Sequence, residues 1–170
     1  MQFNVSSLLK EPTGSTREYG IDDGITIDGA THRVTGRVRL DRTPRGVLVR
    51  ADVHGTMEDV CSRCVKPIAY PVDIDIAEEY IPTIDATSGA AIETVEGEAD
   101  AYRIDAHHMI DLSEAVAQYW TLELLMAPLC DDDCRGLCPI CGEEIAAVGH
   151  LCSGEQIDTR WSVLAKLKLG

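Results

Sequence analysis

Every second residue is apolar along two stretches early in the chain. Val34, Gly36, Val38 and Leu40 alternate with Arg33, Arg37, Arg39 and Asp41, and Val47, Val49, Ala51 and Val53 alternate with Leu48, Arg50 and Asp52. A period of two turns one set of side chains to a buried face and the other to an outer face. Between the stretches, Arg42-Thr-Pro-Arg-Gly46 carries turn chemistry, so His32 to Val60 predicts a β-hairpin. A third strand is predicted from the alternation of Ile68, Tyr70, Val72, Ile74 and Ile76. Pro67 and Pro71 lack backbone donors and point to a position at the sheet edge.

Downstream the pattern changes. Residues 82–106 mix Pro, Gly, Thr, Ser and acids without periodicity and predict a mobile acidic loop. Asp111-Leu-Ser-Glu114 fits a capping box with Asp as the cap, opening a helix through Val116, Tyr119, Trp120 and Leu124 that stops before Pro128. A short terminal helix is predicted after Asp158, carrying Trp161, Leu164, Ala165 and Leu167. Residues 1–31, with the turn-rich Glu11-Pro-Thr-Gly-Ser-Thr-Arg17, predict irregular structure. The expected class is α+β. An antiparallel β-sheet body with a C-terminal helix would occupy 1–127, and a cysteine-rich tail with a short terminal helix would occupy 128–170.

Composition narrows the setting. Hydrophobic residues make up 45% of the 170, enough for one real core, but with a single Phe that core must rest on Val, Ile, Leu and Ala. No window approaches the roughly 18 uninterrupted apolar residues of a membrane span. The N-terminal residues lack the basic start, apolar stretch and cleavage site of a secretory signal, so a cytoplasmic protein is expected. The net charge of −14 argues against a uniformly basic nucleic-acid binder. Its distribution is uneven: Asp73 to Asp105 holds ten acids and one base, whereas Arg33 to Arg50 holds six Arg and one Asp. Arg37 and Arg39 share a strand face, with Arg42 and Arg45 in the adjoining turn, a cluster able to pair with RNA phosphates or simply to form a solvated sheet face.

The cysteines bring the strongest chemistry. Cys61-Ser-Arg-Cys64 stands between the second and third predicted strands, and Cys130, Cys134, Cys138, Cys141 and Cys152 crowd the tail with His150. Two thiolates separated by two residues ligate one ion when the backbone between them turns tightly, and Gly142 after Cys141 permits the left-handed geometry of such a knuckle. Seven Cys and one His make eight ligands, enough for two tetrahedral sites in a knuckle or ribbon-like tail. One partition puts Cys138, Cys141, His150 and Cys152 on one ion and Cys61, Cys64, Cys130 and Cys134 on another. A rival groups Cys130, Cys134, Cys138 and Cys141, and a third leaves Cys61 and Cys64 as reduced, packed thiols. Zinc suits the spacing better than an iron–sulfur cluster, and thiolate-rich sites are closed, so a structural role for one or two ions is expected. No hydrolytic His motif, phosphate loop or nucleophile elbow is present, and His107-His108 read as exposed loop residues, so no enzyme is expected.

Read in order, several segments resemble one family. These are Phe3-Asn-Val-Ser-Ser-Leu-Leu, Gly36-Arg-Val-Arg-Leu40, Gly46-Val-Leu-Val49, Cys61-Ser-Arg-Cys64, Glu78-Glu-Tyr80, Asp111-Leu112, Pro128-Leu-Cys130, Asp133-Cys-Arg-Gly-Leu-Cys-Pro-Ile-Cys-Gly142 and Asp158-Thr-Arg-Trp161. The series resembles the YceD family, the large ribosomal RNA subunit accumulation proteins, in its cysteine-rich Gram-positive branch. The resemblance implies a bacterial cytosolic factor needed for normal 23S ribosomal RNA levels, and it carries no catalytic residue. Relatives often end the tail motif with two nearby Cys, where this chain has His150 and Cys152. The expected partners are ribosomal RNA or a large-subunit precursor, with a basic ribosomal protein as a further one, and neither membrane nor small-molecule substrate. The alternative is an acidic adaptor that binds a basic protein without touching RNA.

Overall fold

The computed structural model describes residues 1–27, 29–92, 101–145, 150 and 152, so the terminal helix predicted after Asp158 lies outside the described residues. The chain forms two compact units, one from Met1–Glu58 and Ala69–Met126, the other from Asp59–Ile68 and Ala127–Gly170. The strands are β1 (Gln2–Asn4), β2 (Thr16–Ile27), β3 (Ala30–Arg42), β4 (Val47–Val60), β5 (Pro67–Pro82), β6 (Arg103–Ile104) and β7 (Met109–Asp111), followed by helix α1 (Ser113–Glu123). Five strands form one sheet in the order β2-β3-β4-β5-β6, and β1 pairs with β7 separately.

The predicted hairpin is β3–β4, in antiparallel register with Val38 opposite Ala51 and Leu40 opposite Val49. The end of its turn lies against β5: a Cβ on Gly46 would lie 2.0 Å from the Tyr80 carbonyl oxygen, so only glycine lets these two backbones meet. Val34, Val38, Leu40, Val47, Val49, Ala51 and Val53 are buried, as the alternation requires. They cluster with Val72, Ile74 and Ile76 of β5, Ala115, Val116 and Trp120 of α1, and Val5, Leu8 and Leu9 near the start.

Four expectations are corrected. Residues 1–31 are not irregular, because β2 pairs along its whole length with β3, from Thr16–Asp41 to Ile27–Ala30. The sheet is mixed rather than antiparallel, since β6 runs parallel to β5 with Ile81 opposite Arg103. A parallel neighbour needs a long crossover, and the chain between Pro82 and Arg103 supplies it. The predicted loop at 82–106 therefore contains ordered elements: β5 continues to Pro82, β6 follows, and an Ile84–Ala91 bridge closes a turn between them. Residues 93–100 lie outside the described residues. The capping box is also incomplete. Asp111 accepts the Ser113 N–H at 2.8 Å, but Leu112 occupies the cap position without a side-chain bond, and Glu114 accepts from Gln118 instead of reaching back.

The prolines fit the placement of β5. Its pairing with β6 covers only Ile81 and Pro82, so Pro71 stands where no described strand lies on the far side.

Candidate metal centre and arginine face

The second unit is built on two copies of one turn. In the first, Cys61 N donates to Lys66 O at 2.8 Å and Val65 N donates to Cys61 O at 2.9 Å. In the second, Cys138 N donates to Glu143 O at 2.7 Å and Gly142 N donates to Cys138 O at 2.8 Å. The offsets are identical, and in both the residue after the second Cys has a positive φ, 61° at Val65 and 76° at Gly142. This left-handed residue reverses the chain and lets two thiols three positions apart converge.

Each knuckle meets a second pair of ligands. The ligand atoms of Cys61, Cys64, Cys130 and Cys134 lie within 4.8 Å of one another, as do those of Cys138, Cys141, His150 and Cys152. Cys61 Sγ lies 3.8 Å from Cys134 Sγ, Cys64 Sγ lies 3.5 Å from Cys130 Sγ, and Cys141 Sγ lies 3.3 Å from His150 Nε2. These separations are far beyond the roughly 2.05 Å of a disulfide. They approach the edges of a tetrahedron around zinc, about 3.8 Å between two sulfurs and about 3.5 Å between sulfur and nitrogen, given bonds of about 2.3 and 2.0 Å.

The electrostatics fit a cation as well. The N–H groups of Cys141 and Ile140 bring the Cys138 thiol down to about 6 against the effect of burial, and Ile140 N stands 3.4 Å from that sulfur. Burial opposes ionisation of Cys61, but the N–H groups of Cys64, Arg63 and Cys130 outweigh it and bring this thiol down to about 6 as well. Their neighbours then resist: contact with Cys64 and Cys134 pushes Cys130 up to about 12, and contact with Cys138, aided by burial, pushes Cys152 up to about 11. A first thiolate in each quartet forms readily and hinders the next, a crowding that a divalent cation removes.

Further contacts tie the knuckles into one unit. Arg63 Nη1 donates to Cys134 O at 2.8 Å, Leu137 N donates to Arg63 O at 3.1 Å, and Lys66 pairs with Glu144 at 2.6 Å. Val65 is a β-branched residue in a conformation that costs an L-residue about 1–2 kcal/mol. The residue is 61% exposed, so little packing depends on it. Val65→Gly is expected to stabilise the second unit by about 1 kcal/mol, seen as slower transfer of metal to a chelating dye. Faster transfer would contradict this account of the turn.

The predicted arginines separate into two groups. Arg37 and Arg39 lie exposed on the outer sheet face, with Arg37 opposite Gly20 and Asp52, and Arg39 opposite Glu18 and Arg50. Arg45 is exposed in the hairpin turn. Arg42 shares the inward parity of Val38 and Leu40, and its half-buried guanidinium donates to the carbonyls of Leu9, Thr43 and Gly46. It clamps the turn and is not brought to the outer face. Arg50, which was not among the predicted site residues, joins Arg39 there, and their opposition in the hairpin register was the signal for it. His107 is exposed and His108 is half-buried, in the turn between β6 and β7.

A profile of the family described as large ribosomal RNA subunit accumulation protein YceD matches residues 49–168. The chain belongs to the YceD family. The matched stretch contains all eight clustered Cys and His side chains, whereas Arg37 and Arg39 lie before it. Proteins of Mycobacterium tuberculosis and Mycobacterium bovis named as uncharacterized are 34% identical over 131 residues, covering 76% of this chain and 59% of theirs. A Mycobacterium leprae protein is 28% identical over 131 residues, covering 76% of this chain and 57% of its own. The chain thus spans about three fifths of the length of these relatives. No solved structure matches it. Among the described residues, no helix is long and apolar enough to cross a membrane.

Proposed function

We propose that this YceD-family chain is a non-enzymatic factor supporting 23S ribosomal RNA accumulation and large-subunit assembly, with its second unit fastened by structural zinc. The observation that carries the reading is the pair of identical knuckles, each completed by two further ligands, inside the stretch that matches the family. Cys61, Cys64, Cys130 and Cys134 would hold one ion, and Cys138, Cys141, His150 and Cys152 the other. A bound zinc would supply charge neutralisation and cross-linking. Four protein ligands at each ion would leave no open position for an activated water, which favours structure over catalysis. Arg37, Arg39 and Arg50 would meet RNA phosphates. The acidic balance of the chain would limit indiscriminate RNA binding. Deleting the gene is expected to deplete 23S ribosomal RNA and large-subunit precursors on a sucrose gradient, with recovery on re-expression. An unchanged profile would overturn the reading.

A second reading, an adaptor for a basic protein, has its own support in the first unit. A cavity of about 740 Å³ there has a lining that includes the acids Glu78, Asp105, Asp111 and Glu114 and the base Arg103. Tyr80 and Tyr102 stack on its wall with centroids 5.0 Å apart. Carboxylates around aromatic faces suit lysine or arginine side chains. Particle association that is insensitive to Arg39→Glu and Arg50→Glu, but lost in Glu78→Lys, would favour the adaptor.

A further inference from the structure

The outer face of the sheet holds a groove of about 560 Å³ whose lining includes Glu18, Gly20, Arg37, Arg39, Arg50 and Asp52. Its composition breaks a local rule. Arg39 and Arg50 stand directly opposite each other in the β3–β4 register, an arrangement that destabilises a sheet when both residues carry the same charge. Such violations concentrate at functional positions.

Asp41 holds this pair in place. Its side chain is only 16% exposed, and its Oδ1 accepts from Arg39 Nε at 2.8 Å and from Thr16 Oγ1 at 2.9 Å. Its Oδ2 accepts from Arg50 Nη1 at 3.0 Å. Each guanidinium has five N–H donors, so one bond to Asp41 orients the fork and leaves other donors for a ligand. Beside them Arg37 forms no hydrogen bond or ion pair with a described residue. Opposite Arg37 is Gly20, where an added Cβ would meet nothing within 4 Å, so the floor is bare. Glu18 opposite Arg39 and Asp52 opposite Arg37 bring the groove close to neutral, which disfavours loose adhesion of a polyanion, so a phosphate would be held by directed guanidinium hydrogen bonds and not by net charge. The same carboxylates can accept from nucleobase amines.

We infer that this groove binds the phosphodiester backbone of a single RNA strand through Arg37, Arg39 and Arg50, with Asp41 as the positioning residue. The inference rests on the RNA reading above and adds to it the single-stranded form of the ligand and the part played by Asp41. The test is fluorescence anisotropy of a fluorescein-labelled single-stranded RNA oligonucleotide against the full chain, over a salt series, with a thermal melt of each variant. Arg50→Ala is expected to weaken binding about tenfold and to lower the log–log salt slope by about one. Gly20→Val should raise the melting temperature, because a β-branched residue suits a strand, and still weaken binding by filling the floor. Asp41→Asn is the sharper variant. Removing a carboxylate should strengthen RNA binding if net charge alone matters, and should weaken it severalfold if Asp41 orients the two arginines. Stronger binding by Asp41→Asn would overturn its positioning role. Wild-type affinity in both Arg50→Ala and Gly20→Val would overturn the groove while leaving RNA binding to another surface. Absence of salt-dependent RNA binding by the wild-type chain would overturn the RNA reading itself, and this inference with it.

Discussion

Stripping the metal is expected to unfold the second unit and leave the first folded. That unit has few buried apolar side chains among its described residues, chiefly Cys61, Cys64 and Cys138, whereas the first unit owns the hydrophobic cluster. A structural zinc site contributes about 10–16 kcal/mol of apparent binding free energy, and most of this is folding free energy where no site exists beforehand. Elemental analysis should find two zinc ions per chain, falling to one in Cys64→Ser and to one in Cys141→Ser. With a strong chelator, amides of the two knuckles should lose their exchange protection while those of β3 and β4 keep it. Fewer than one ion per chain in the wild type would refute the fastening role. Simultaneous loss of protection in β3 and β4 would refute the independence of the first unit.

The second large effect belongs to Trp120. It is completely buried, its ring stands 5.8 Å from that of His32, and its Cη2 lies 2.5 Å from where a Cβ on Gly55 would be. Glycine at 55 therefore makes the seat for the indole, a case of strand propensity yielding to packing. Trp120→Ala should cost about 3–5 kcal/mol, a large share of the roughly 5–15 kcal/mol available to a domain. Gly55→Ala should act in the same direction by displacing the ring. Urea denaturation followed by far-UV circular dichroism measures both, and a midpoint shift below the equivalent of about 1 kcal/mol in Trp120→Ala would contradict this packing.

The hairpin was legible because its inward positions are nearly all apolar, from Val34 to Leu40 and from Val47 to Val53. The β2 strand was not. Its buried positions are Ile21, Ile25 and Ile27, but Asp23 interrupts their alternation, and Gly20 and Gly24 are poor strand residues. Its pairing is imposed by β3, a tertiary cause that leaves little local trace. The β1, β6 and β7 strands are too short to show any period, so the mixed character of the sheet was invisible. At the metal centre, the Cys-x-x-Cys spacing and Gly142 disclosed one knuckle. The other uses Val65 at the corresponding turn position, where composition gives no warning. Which distant Cys joins which knuckle depends on chain folding between positions 66 and 73 residues apart, beyond the reach of spacing rules. Arg42 was misplaced for a simpler reason: counting charge ignored the parity that turns it toward the carbonyls of the turn.

The second unit is made from two stretches separated by most of β5, the crossover and α1, and this has a consequence during synthesis. At roughly 5–20 residues per second, Cys64 emerges from the translating ribosome about 3 to 13 s before Cys130, which stands 66 positions later. Throughout that interval the first two thiols are a half-built chelate, open to oxidation and to capture by stray ions. The quartet can close only once Cys130 and Cys134 have emerged as well, so metal supply and thiol redox state act on the waiting pair for the whole of that interval.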